Sequence, residues 1–401
     1  KKLCPYLSEE DINKLEESRN FPPYKGAIYN PNKLDMEDFQ KLHNIEVDKD
    51  DKYLFRFLDP LGKTVEHFGG AFYIMDPSAT LISRFLNPEI NEIVIDLCAA
   101  PGGKTISYAI KNSNSLIISN DISSTRVNQL KQNVERMGLT NVIITNHEPS
   151  FFLKNFQNFF DKVILDTPCS GTGMYRKEKE LEEDFSFEKL ERLLPLQQEL
   201  LEIANKLLKD GGTLSYSTCS FSQKEDEEQI NNFLKNYNII DLPDDKSFFK
   251  TSGPGIYLLP IFFQGEGQYI CLLKKGGQLE SNPTLKEKKI TYKNKEWFIS
   301  HYFKSIEKLE PQVIGVQLYN EKEKSTYSHA YSHTLKDYLN KIILTNENEA
   351  LDYLHGDEIN IDPANKGEVL VFYKKLSLGW GKANQGKLKN YLPKGIRLQS
   401  R

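Results

Sequence analysis

Between about residue 90 and residue 275, short apolar runs alternate with segments of helical spacing, and no other feature of the sequence limits the fold as strongly. Near-continuous apolar strands joined by helices form a parallel sheet that helices cover on both faces. The pattern therefore predicts an α/β fold with a doubly wound, Rossmann-like sheet. Five runs supply its parallel strands: EIVIDL (92–97), LIISND (116–121), NVIITN (141–146), KVILDT (162–167) and TLSYST (213–218).

The segments around these runs support the same sheet. SSTRVNQLKQNVERMG places Val127, Leu130, Val134 and Met137 on one helical face and stops at Gly138. GIYLLPIFF and QYICLLKK are joined by the short QGEG turn, which predicts a hairpin at the sheet edge. Ligands of open sheets bind beyond the carboxyl ends of the strands, so functional residues are expected there.

The sheet region, residues 86–276, is predicted to lie between other units. Residues 1–85 have a mixed α+β character and are rich in proline and aromatic residues. After Lys275, GGQLESNPTLKEKK has the composition of a linker, and we expect residues 277–340 to hold this linker and an intermediate small domain. Residues 341–401, with EVLVFYKKLSLGW, are predicted to form a last small domain that contains β structure.

The cysteines and the hydropathy pattern restrict the setting of the chain. The five cysteines are far apart and include no C-x-x-C pair, which argues against a disulfide framework and against a zinc site. We expect Cys4 and Cys271 to be small buried hydrophobes, and we assign no metal ligand. No apolar run approaches the ~18 residues of a membrane span, and no signal peptide is evident, so a cytoplasmic protein without a membrane partner is expected.

A glycine-rich loop, CAAPGGKT (98–105), follows the first predicted strand. Such a loop lets a ligand approach the backbone and the amino end of the next helix. A nucleoside triphosphate loop requires a glycine where Cys98 stands, and a dinucleotide loop requires G-x-G-x-x-G, which is missing. The remaining candidate is S-adenosylmethionine. Asp121, at the end of the second strand, is then expected to accept hydrogen bonds from the ribose, and capping the next helix is its alternative role.

Two cysteines, Cys169 and Cys219, follow the fourth and fifth strands and are expected to share one crevice beside this loop. Such a pair suits methylation of carbon 5 of a pyrimidine, because a thiolate that adds to carbon 6 makes carbon 5 nucleophilic and a second group then assists removal of the carbon 5 proton. Asp166 can hold the base edge, and Lys104 or Lys177 can supply the positive potential that a thiolate needs. The residues alone leave the order of the two cysteines undecided, and packing is their alternative role.

The motifs DLCAAPGGKT, DTPCSGTGMYRK and YSTCSFS together resemble the Sun/Fmu family of RNA cytosine-5 methyltransferases. GGAFYIMDPSATL and GEGQYICLLKK extend the resemblance, and LSLGWGKANQGKLKNYLPKGIR is similar to the end of the RsmF branch, which methylates small-subunit (16S) ribosomal RNA. The resemblance implies a class I methyltransferase domain over residues 86–276, an RNA-binding or auxiliary role for residues 1–85, and a PUA-like RNA-binding fold for residues 341–401.

The resemblance also implies individual roles. Cys219 of the TCS motif is the expected nucleophile, Cys169 of the PC motif is expected to assist product release, and Asp166 is expected to stabilise the activated base. Thr167, Thr172 and Tyr175 depart from the family pattern, and the change at residue 172 bears on contacts to RNA near the base. The expected S-adenosylmethionine contacts are Cys98, Ala99, Ala100, Pro101, Gly102, Gly103, Lys104, Asp121, Glu148 and Asp166.

Charge is segregated along the chain. The net charge is -4, yet Lys374 to Arg401 carry eight basic side chains and no acidic one, which suits binding of a polyanion. Tyr373, Trp380 and Tyr391 lie among these lysines and suit base stacking, whereas a solvated basic tail is the alternative.

The sequence thus predicts a monomeric, S-adenosylmethionine-dependent enzyme that forms 5-methylcytosine in small-subunit ribosomal RNA through a covalent bond from cysteine to carbon 6. Two alternatives stay open: the same chemistry on transfer RNA, and a non-catalytic ribosome-assembly factor that retains the fold.

Overall fold

The computed structural model describes residues 3–183, 185–234, 237–320 and 326–399, so Arg401 of the basic C terminus lies outside the described residues. The α helices of this part are α1 (Glu9–Ser18), α2 (Met36–Leu42), α3 (Val65–Phe68), α4 (Pro77–Phe85), α5 (Gly103–Lys111), α6 (Ser124–Met137), α7 (Glu180–Glu183), α8 (Phe187–Leu207), α9 (Glu227–Phe233), α10 (His329–Ser332) and α11 (Glu347–His355).

The strands of the described residues are β1 (Gly26–Tyr29), β2 (Ile45–Val47), β3 (Leu54–Phe57), β4 (Phe72–Met75), β5 (Ile93–Asp96), β6 (Leu116–Asn120), β7 (Val142–Thr145), β8 (Phe160–Asp166), β9 (Leu208–Thr218), β10 (Tyr237–Ile239), β11 (Ile256–Leu258), β12 (Gln268–Lys275), β13 (Lys286–Tyr292), β14 (Lys295–Tyr302), β15 (Val313–Ile314), β16 (Val316–Gln317), β17 (Lys341–Leu344), β18 (Ile359–Asn360), β19 (Gly367–Tyr373), β20 (Leu376–Asn384) and β21 (Lys387–Asn390).

The largest sheet has the order β10-β12-β9-β8-β5-β6-β7-β15, with β11 also paired to β12. Its inner five strands, β9-β8-β5-β6-β7, are parallel. The order reverses between β5 and β8, so the predicted doubly wound α/β fold is confirmed, and the crevice beyond these two strands is where ligands of such sheets bind. The predicted helix over residues 123–138 is also present as α6, which ends at Gly138 with φ +70°.

The two edges of this sheet differ from the prediction. The hairpin β11–β12 is present, with Ile256 opposite Ile270, but β11 covers only the first part of β12, and β10 pairs with the last residues of β12 along the same edge. The run GIYLLPIFF supplies a strand only as far as Leu258, because Pro260 has no N–H to donate to a ladder. At the other edge β15 pairs antiparallel with β7, with Val313 opposite Ile144. Residues from the predicted intermediate domain therefore complete the central sheet.

The N-terminal region contains an antiparallel sheet with the order β2-β3-β1-β4. Helix α4 follows this sheet, starts with Pro77 and is capped by Asp76, whose carboxylate accepts from Ser78 N at 2.6 Å. Asp76 also accepts from Glu266 N at 2.9 Å, in the turn before β12. One capping carboxylate thus ties the N-terminal region to the hairpin of the large sheet.

The C-terminal sheet has the order β17-β19-β20-β21-β18, and its apolar side shares one core with the N-terminal sheet. Trp380 is 3% exposed, its ring stacks on Tyr327 at 5.4 Å, and its Nε1 donates to Ser328 O. Tyr373 is buried as well. The prediction that Trp380 and Tyr373 stack on RNA bases is therefore wrong, because both complete a protein core; Tyr391 is exposed.

Within the described residues, no helix combines the length and apolar character that a membrane crossing requires.

Candidate active site

The glycine-rich loop connects β5 to α5 at the carboxyl edge of the large sheet. Gly102 has φ +111°, and a Cβ placed there would lie 2.8 Å from Leu130 Cδ1. Ala99 N donates to Asn120 O at 2.7 Å and Gly102 N donates to Ala99 O at 2.8 Å, which folds the loop against β6. Because α5 starts at Gly103, the loop lies at the amino end of this helix, as a ligand-binding loop requires.

Asp121 fixes the same loop from the end of β6. Its Oδ2 accepts from Ala100 N at 3.2 Å and lies 3.2 Å from Arg126 Nη1, and its Oδ1 accepts from Ser123 N at 2.9 Å. The carboxylate is 2% exposed. Asp121 thus orders the start of α6 and the glycine loop together, and its contact with a ribose stays a prediction.

Asp96, at the end of β5, is an unusual group beneath the loop. Burial raises the pKa of its carboxyl to about 7, although the hydroxyl of Thr105, which donates to Oδ2 at 2.8 Å, opposes the shift. Its Oδ1 is buried and has no hydrogen-bond partner among the described residues. The site therefore holds an unused polar atom directly under the proposed cofactor loop.

The two cysteines meet at the neighbouring strand ends. Asp166 of β8 pairs in parallel register with Ser217 of β9, so the residues that follow each strand emerge side by side. The Sγ atoms of Cys169 and Cys219 lie 3.2 Å apart, and both side chains are partly exposed. The hydrogen bond with Cys219, and then burial, raise the pKa of Cys169 well above its ordinary value, so this thiol keeps its proton at neutral pH.

Asp166 and Lys104 form an ion pair in front of the thiols. Lys104 Nζ lies 2.6 Å from Asp166 Oδ2, while Asp166 Oδ1 accepts from Ser217 Oγ at 2.7 Å and from Gln268 Nε2 at 3.3 Å. Burial alone lowers the pKa of Lys104, but the charge and the hydrogen bond of Asp166 outweigh it, and the net shift is upward. Lys104 is therefore a permanent cation close to Cys219.

The backbone around Cys219 is packed without space for side chains. A Cβ on Gly173 would lie 2.7 Å from Gly267 Cα and 2.9 Å from Cys219 O. Thr172 is buried, and its Oγ1 accepts from Phe221 N at 2.8 Å. The hydroxyl of Thr172 thus holds the loop that carries Cys219, and the expectation that residue 172 bears on RNA contacts stays a prediction.

Several residues of the site were not predicted from the sequence, and two predicted ones lie apart. Tyr6 Oη donates to Phe221 O at 3.0 Å, so the N-terminal segment covers the Cys219 loop; a lone aromatic residue ninety positions before the first motif gives no signal of this. Gln268 was unassigned although it ends the recognised GEGQ motif. Glu148 and Lys177 are exposed, and in the described part of the chain neither forms a hydrogen bond or an ion pair with either thiol. Over the same residues, no group of three or more potential ligands could hold a metal ion.

The doubly wound sheet, the glycine loop and the strand-end acid define a class I methyltransferase. Residues 83–274 match the family described as 16S rRNA methyltransferase RsmB/F, and residues 340–398 match the family described as methyltransferase RsmF PUA domain. The chain belongs to the RsmB/F family.

Proteins similar to this chain agree with that assignment. The ribosomal RNA small subunit methyltransferase F of Psychromonas ingrahamii is 30% identical over 391 residues, which cover 84% of this chain and 81% of that protein. The protein of the same name from Aeromonas salmonicida is 29% identical over 386 residues, with the same two shares. The crystal structure of a methyltransferase homolog protein from Pyrococcus horikoshii has a TM-score of 0.58 and 27% identity, and covers 67% of this chain and 92% of that one.

Proposed function

We propose that the protein transfers a methyl group from S-adenosylmethionine to carbon 5 of cytosine in small-subunit ribosomal RNA, as a monomer in the cytoplasm. One observation carries the proposal: the thiols of Cys169 and Cys219 lie 3.2 Å apart beside the ion pair of Lys104 and Asp166 and at the edge that carries the glycine loop. Family membership supports the substrate class, since relatives in this family are named for small-subunit ribosomal RNA.

The cysteines divide two tasks. Cys219 adds to carbon 6 of the base as a thiolate, which the ammonium of Lys104 stabilises. Cys169, whose pKa is raised first by the hydrogen bond with Cys219 and then by burial, stays a thiol. In the elimination a water molecule takes the carbon 5 proton, the electron pair of that bond forms the double bond between carbons 5 and 6, and Cys169 donates its proton to the Cys219 sulfur as the bond from sulfur to carbon 6 breaks. The order agrees with the family resemblance of the TCS and PC motifs.

Asp166 holds the base in this scheme. Its carboxylate is about a third exposed, and it is oriented by Lys104, Ser217 and Gln268. A protonated ring nitrogen or the exocyclic amine of cytosine can donate to the same carboxylate, which stabilises the base as electrons move toward carbon 5. Because three protein groups fix Asp166 before the base arrives, little reorganisation is needed at the moment of reaction.

The residues at the edge of β5 and β6 fit S-adenosylmethionine. Gly102 gives close backbone access, the carboxylate of Asp121 stands at the end of the second strand, and the unpartnered Oδ1 of Asp96 lies below the loop. The bound cofactor would supply the methyl group. The loop Cys98–Lys104 would hold it, and its lysine joins the cofactor loop to the base-binding carboxylate. The role of Glu148 as a further contact remains a proposal without a contact in its favour.

The test compares RNA substrates. Protein incubated with radiolabelled S-adenosylmethionine should methylate small-subunit ribosomal RNA, either naked or in assembled subunits, and bisulfite sequencing should place 5-methylcytosine in the product. If only transfer RNA is labelled, the substrate is transfer RNA and the proposal for ribosomal RNA is wrong. Absence of label together with no binding of S-adenosylmethionine in calorimetry would support the assembly factor instead.

A further inference from the structure

Both cysteine loops continue with a serine, and both serines reach the same carboxylate. Ser170 Oγ and Ser220 Oγ donate to Glu225 Oε2 at 2.5 Å and 2.6 Å, and the two hydroxyls lie 3.2 Å from each other. Each serine directly follows one of the cysteines. A single carboxylate oxygen therefore joins the loop after β8 to the loop after β9.

The second oxygen of Glu225 holds the first loop more firmly. Glu225 Oε1 accepts from Ser170 N at 2.8 Å and from Gln197 Nε2 at 3.1 Å, and the same Gln197 nitrogen donates to Pro168 O at 3.0 Å. The carboxylate is 0% exposed, and these four donors are neutral groups. A buried carboxylate held only by neutral donors depends on all of them, because each lost donor leaves charge unsatisfied.

Glu225 is itself fixed to the large sheet. Its backbone O accepts from Tyr216 Oη at 2.6 Å, and its N donates to Ser222 O at 2.9 Å. The neighbouring Asp226 accepts from Thr218 Oγ1 at 2.6 Å, one residue before Cys219. Hydrogen bonds from β9 thus fix the backbone beside Glu225, so its carboxylate can hold both loops in a defined position relative to the sheet.

We propose that Glu225 is a positioning residue that sets the separation and direction of the Cys169 and Cys219 thiols through Ser170 and Ser220. The inference rests on the proposed function for its catalytic consequence, but the geometry of the thiols can be tested without RNA or cofactor. Loss of the carboxylate removes the one acceptor that both serine hydroxyls share. Ser220 keeps its bond from Ser222 N at 3.0 Å, but the link between the two loops is broken, so the two sulfur atoms lose their alignment.

The direct test is the rate at which the two thiols close to a disulfide. Diamide oxidises such a pair: each thiol loses its hydrogen, the S–S bond forms, and diamide takes up both hydrogens to become the hydrazine. Peptide mapping locates the bond between residues 169 and 219 and separates it from reactions of the other three cysteines. A disulfide requires the sulfur atoms to approach to about 2 Å with defined direction, so closure reports their alignment.

Glu225→Ala should slow closure at least about tenfold, and on ribosomal RNA it should lower kcat about 100-fold with KM within about threefold, as misplacement of reacting groups does. Glu225→Gln should recover most of both rates, because the amide oxygen still accepts from Ser170 N and the NH₂ group can donate to both hydroxyls. The matched control is Glu92→Gln, which removes a buried carboxylate at the other end of the sheet and should leave closure unchanged.

Closure at the wild-type rate in folded Glu225→Ala protein overturns the proposal. Should that variant fail to fold, Glu225→Asp decides, because it keeps the charge but withdraws the oxygens by one methylene; wild-type closure there also overturns it. The two proposals can fail separately. If the wild-type protein methylates no RNA but Glu225→Ala still closes the disulfide more slowly than wild type, Glu225 positions the thiols and only the proposed function is refuted.

Discussion

At the scale of single residues, the two cysteines have separate predicted fates. Cys219→Ala should abolish turnover, because the raised pKa of Cys169 keeps this neighbouring thiol protonated and so a poor substitute for the nucleophile. Cys169→Ala should leave a covalent protein–RNA adduct, because elimination is blocked after methylation. The adduct should migrate more slowly than the free protein on a denaturing gel. The reverse pair of results would show that the assignment of the two thiols is wrong.

Asp166 is expected to act on the chemical step. Asp166→Asn keeps the shape of the side chain but removes the charge that pairs with Lys104 at 2.6 Å and that meets the base, so kcat should fall about 100-fold or more. Asp161→Asn is the control, since Asp161 lies near the amino end of the same strand and bonds Ile93 N at 2.7 Å. Single-turnover rates measure both; an unchanged rate for the Asp166 variant would remove this residue from the mechanism.

Some residues of the site can be predicted from the sequence and others cannot, because only some of them adjoin a predictable strand. Cys169, Cys219 and Asp166 could be placed because each adjoins a buried strand whose end is predictable from its apolar run. Glu225 could not, because it stands in the charged stretch KEDEEQ, a composition typical of a solvated surface. It is buried only because two loops and α8 bring donors to it, which no local pattern encodes.

At the scale of elements, the contact between the loop after β8 and the turn before β12 fixes the Cys219 backbone. Gly173→Ala would place a methyl group 2.7 Å from Gly267 Cα, with backbone rather than a movable side chain as the obstacle. We expect a loss of about 1–3 kcal/mol in the free energy of unfolding and a larger proportional loss of kcat.

The control for this variant is Gly395→Ala. A Cβ at residue 395 meets nothing within 4 Å, so stability and activity should stay within error of the wild type. Chemical unfolding and initial rates measured on both variants make the comparison. Equal stability of the two alanine variants would mean that the close backbone approach at residue 173 relaxes freely.

Elements were predictable where packing follows the local pattern. Each of the five parallel strands contains a short apolar run, so their existence followed from the sequence. Strand β13, KEKKITY, is largely exposed, and β15 has only two residues, so neither carries a recognisable period. Trp380 was misassigned for the converse reason: its burial under Tyr327 depends on a contact 53 positions away in the chain.

At the scale of the whole molecule, the exposed lysines of the C-terminal sheet are the predicted RNA contact. Lys382 and Lys389 lie opposite each other on β20 and β21 and are exposed. Glu368 of β19 lies opposite Lys382 on the other side of β20. Replacing both by glutamate should weaken binding of ribosomal RNA and reduce the slope of log K against log salt by about 2.

The control exchanges lysines that already have partners. Lys374 and Lys375 lie 3.7 Å from Glu66 and Asp35 of the N-terminal region, so their charge is partly neutralised. Replacing Lys374 and Lys375 by glutamate should change the slope of log K against log salt less than replacing Lys382 and Lys389 does. Identical slopes for wild type and the Lys382, Lys389 variant, measured by filter binding, would exclude this face from RNA contact.

Stability should also depend on pH through His329, the first residue of α10, and His333, the residue that follows this helix. His329 and His333 share a hydrogen bond of 3.1 Å. Burial, and then the charge of Lys33, lower the pKa of His329 to about 4; burial, then His329, Lys33 and Arg136, lower the pKa of His333 well below 6.5.

The sign of this dependence follows from proton counting. The unfolded chain binds protons at these histidines below about pH 6.5 while the folded protein does not, so stability falls as the pH falls, by about 2 kcal/mol for His329 between pH 7 and pH 5. His329→Gln should flatten the profile of urea midpoints against pH. If the profile of the His329→Gln variant is as steep as that of the wild type, His329 is not the source of the pH dependence.

The two-residue strand β15 has a wider consequence for how this molecule can be divided. The outer rim of β7 would otherwise present bare amide and carbonyl groups, a template onto which a foreign strand can dock. Val313 and Ile314 occupy that rim from nearly forty positions beyond the last strand of the catalytic sheet. A fragment that ends at residue 274, where the family match ends, would lack β15 and expose the edge of β7. Such a fragment should self-associate through this edge, although it would keep both cysteines, Asp166 and the glycine loop.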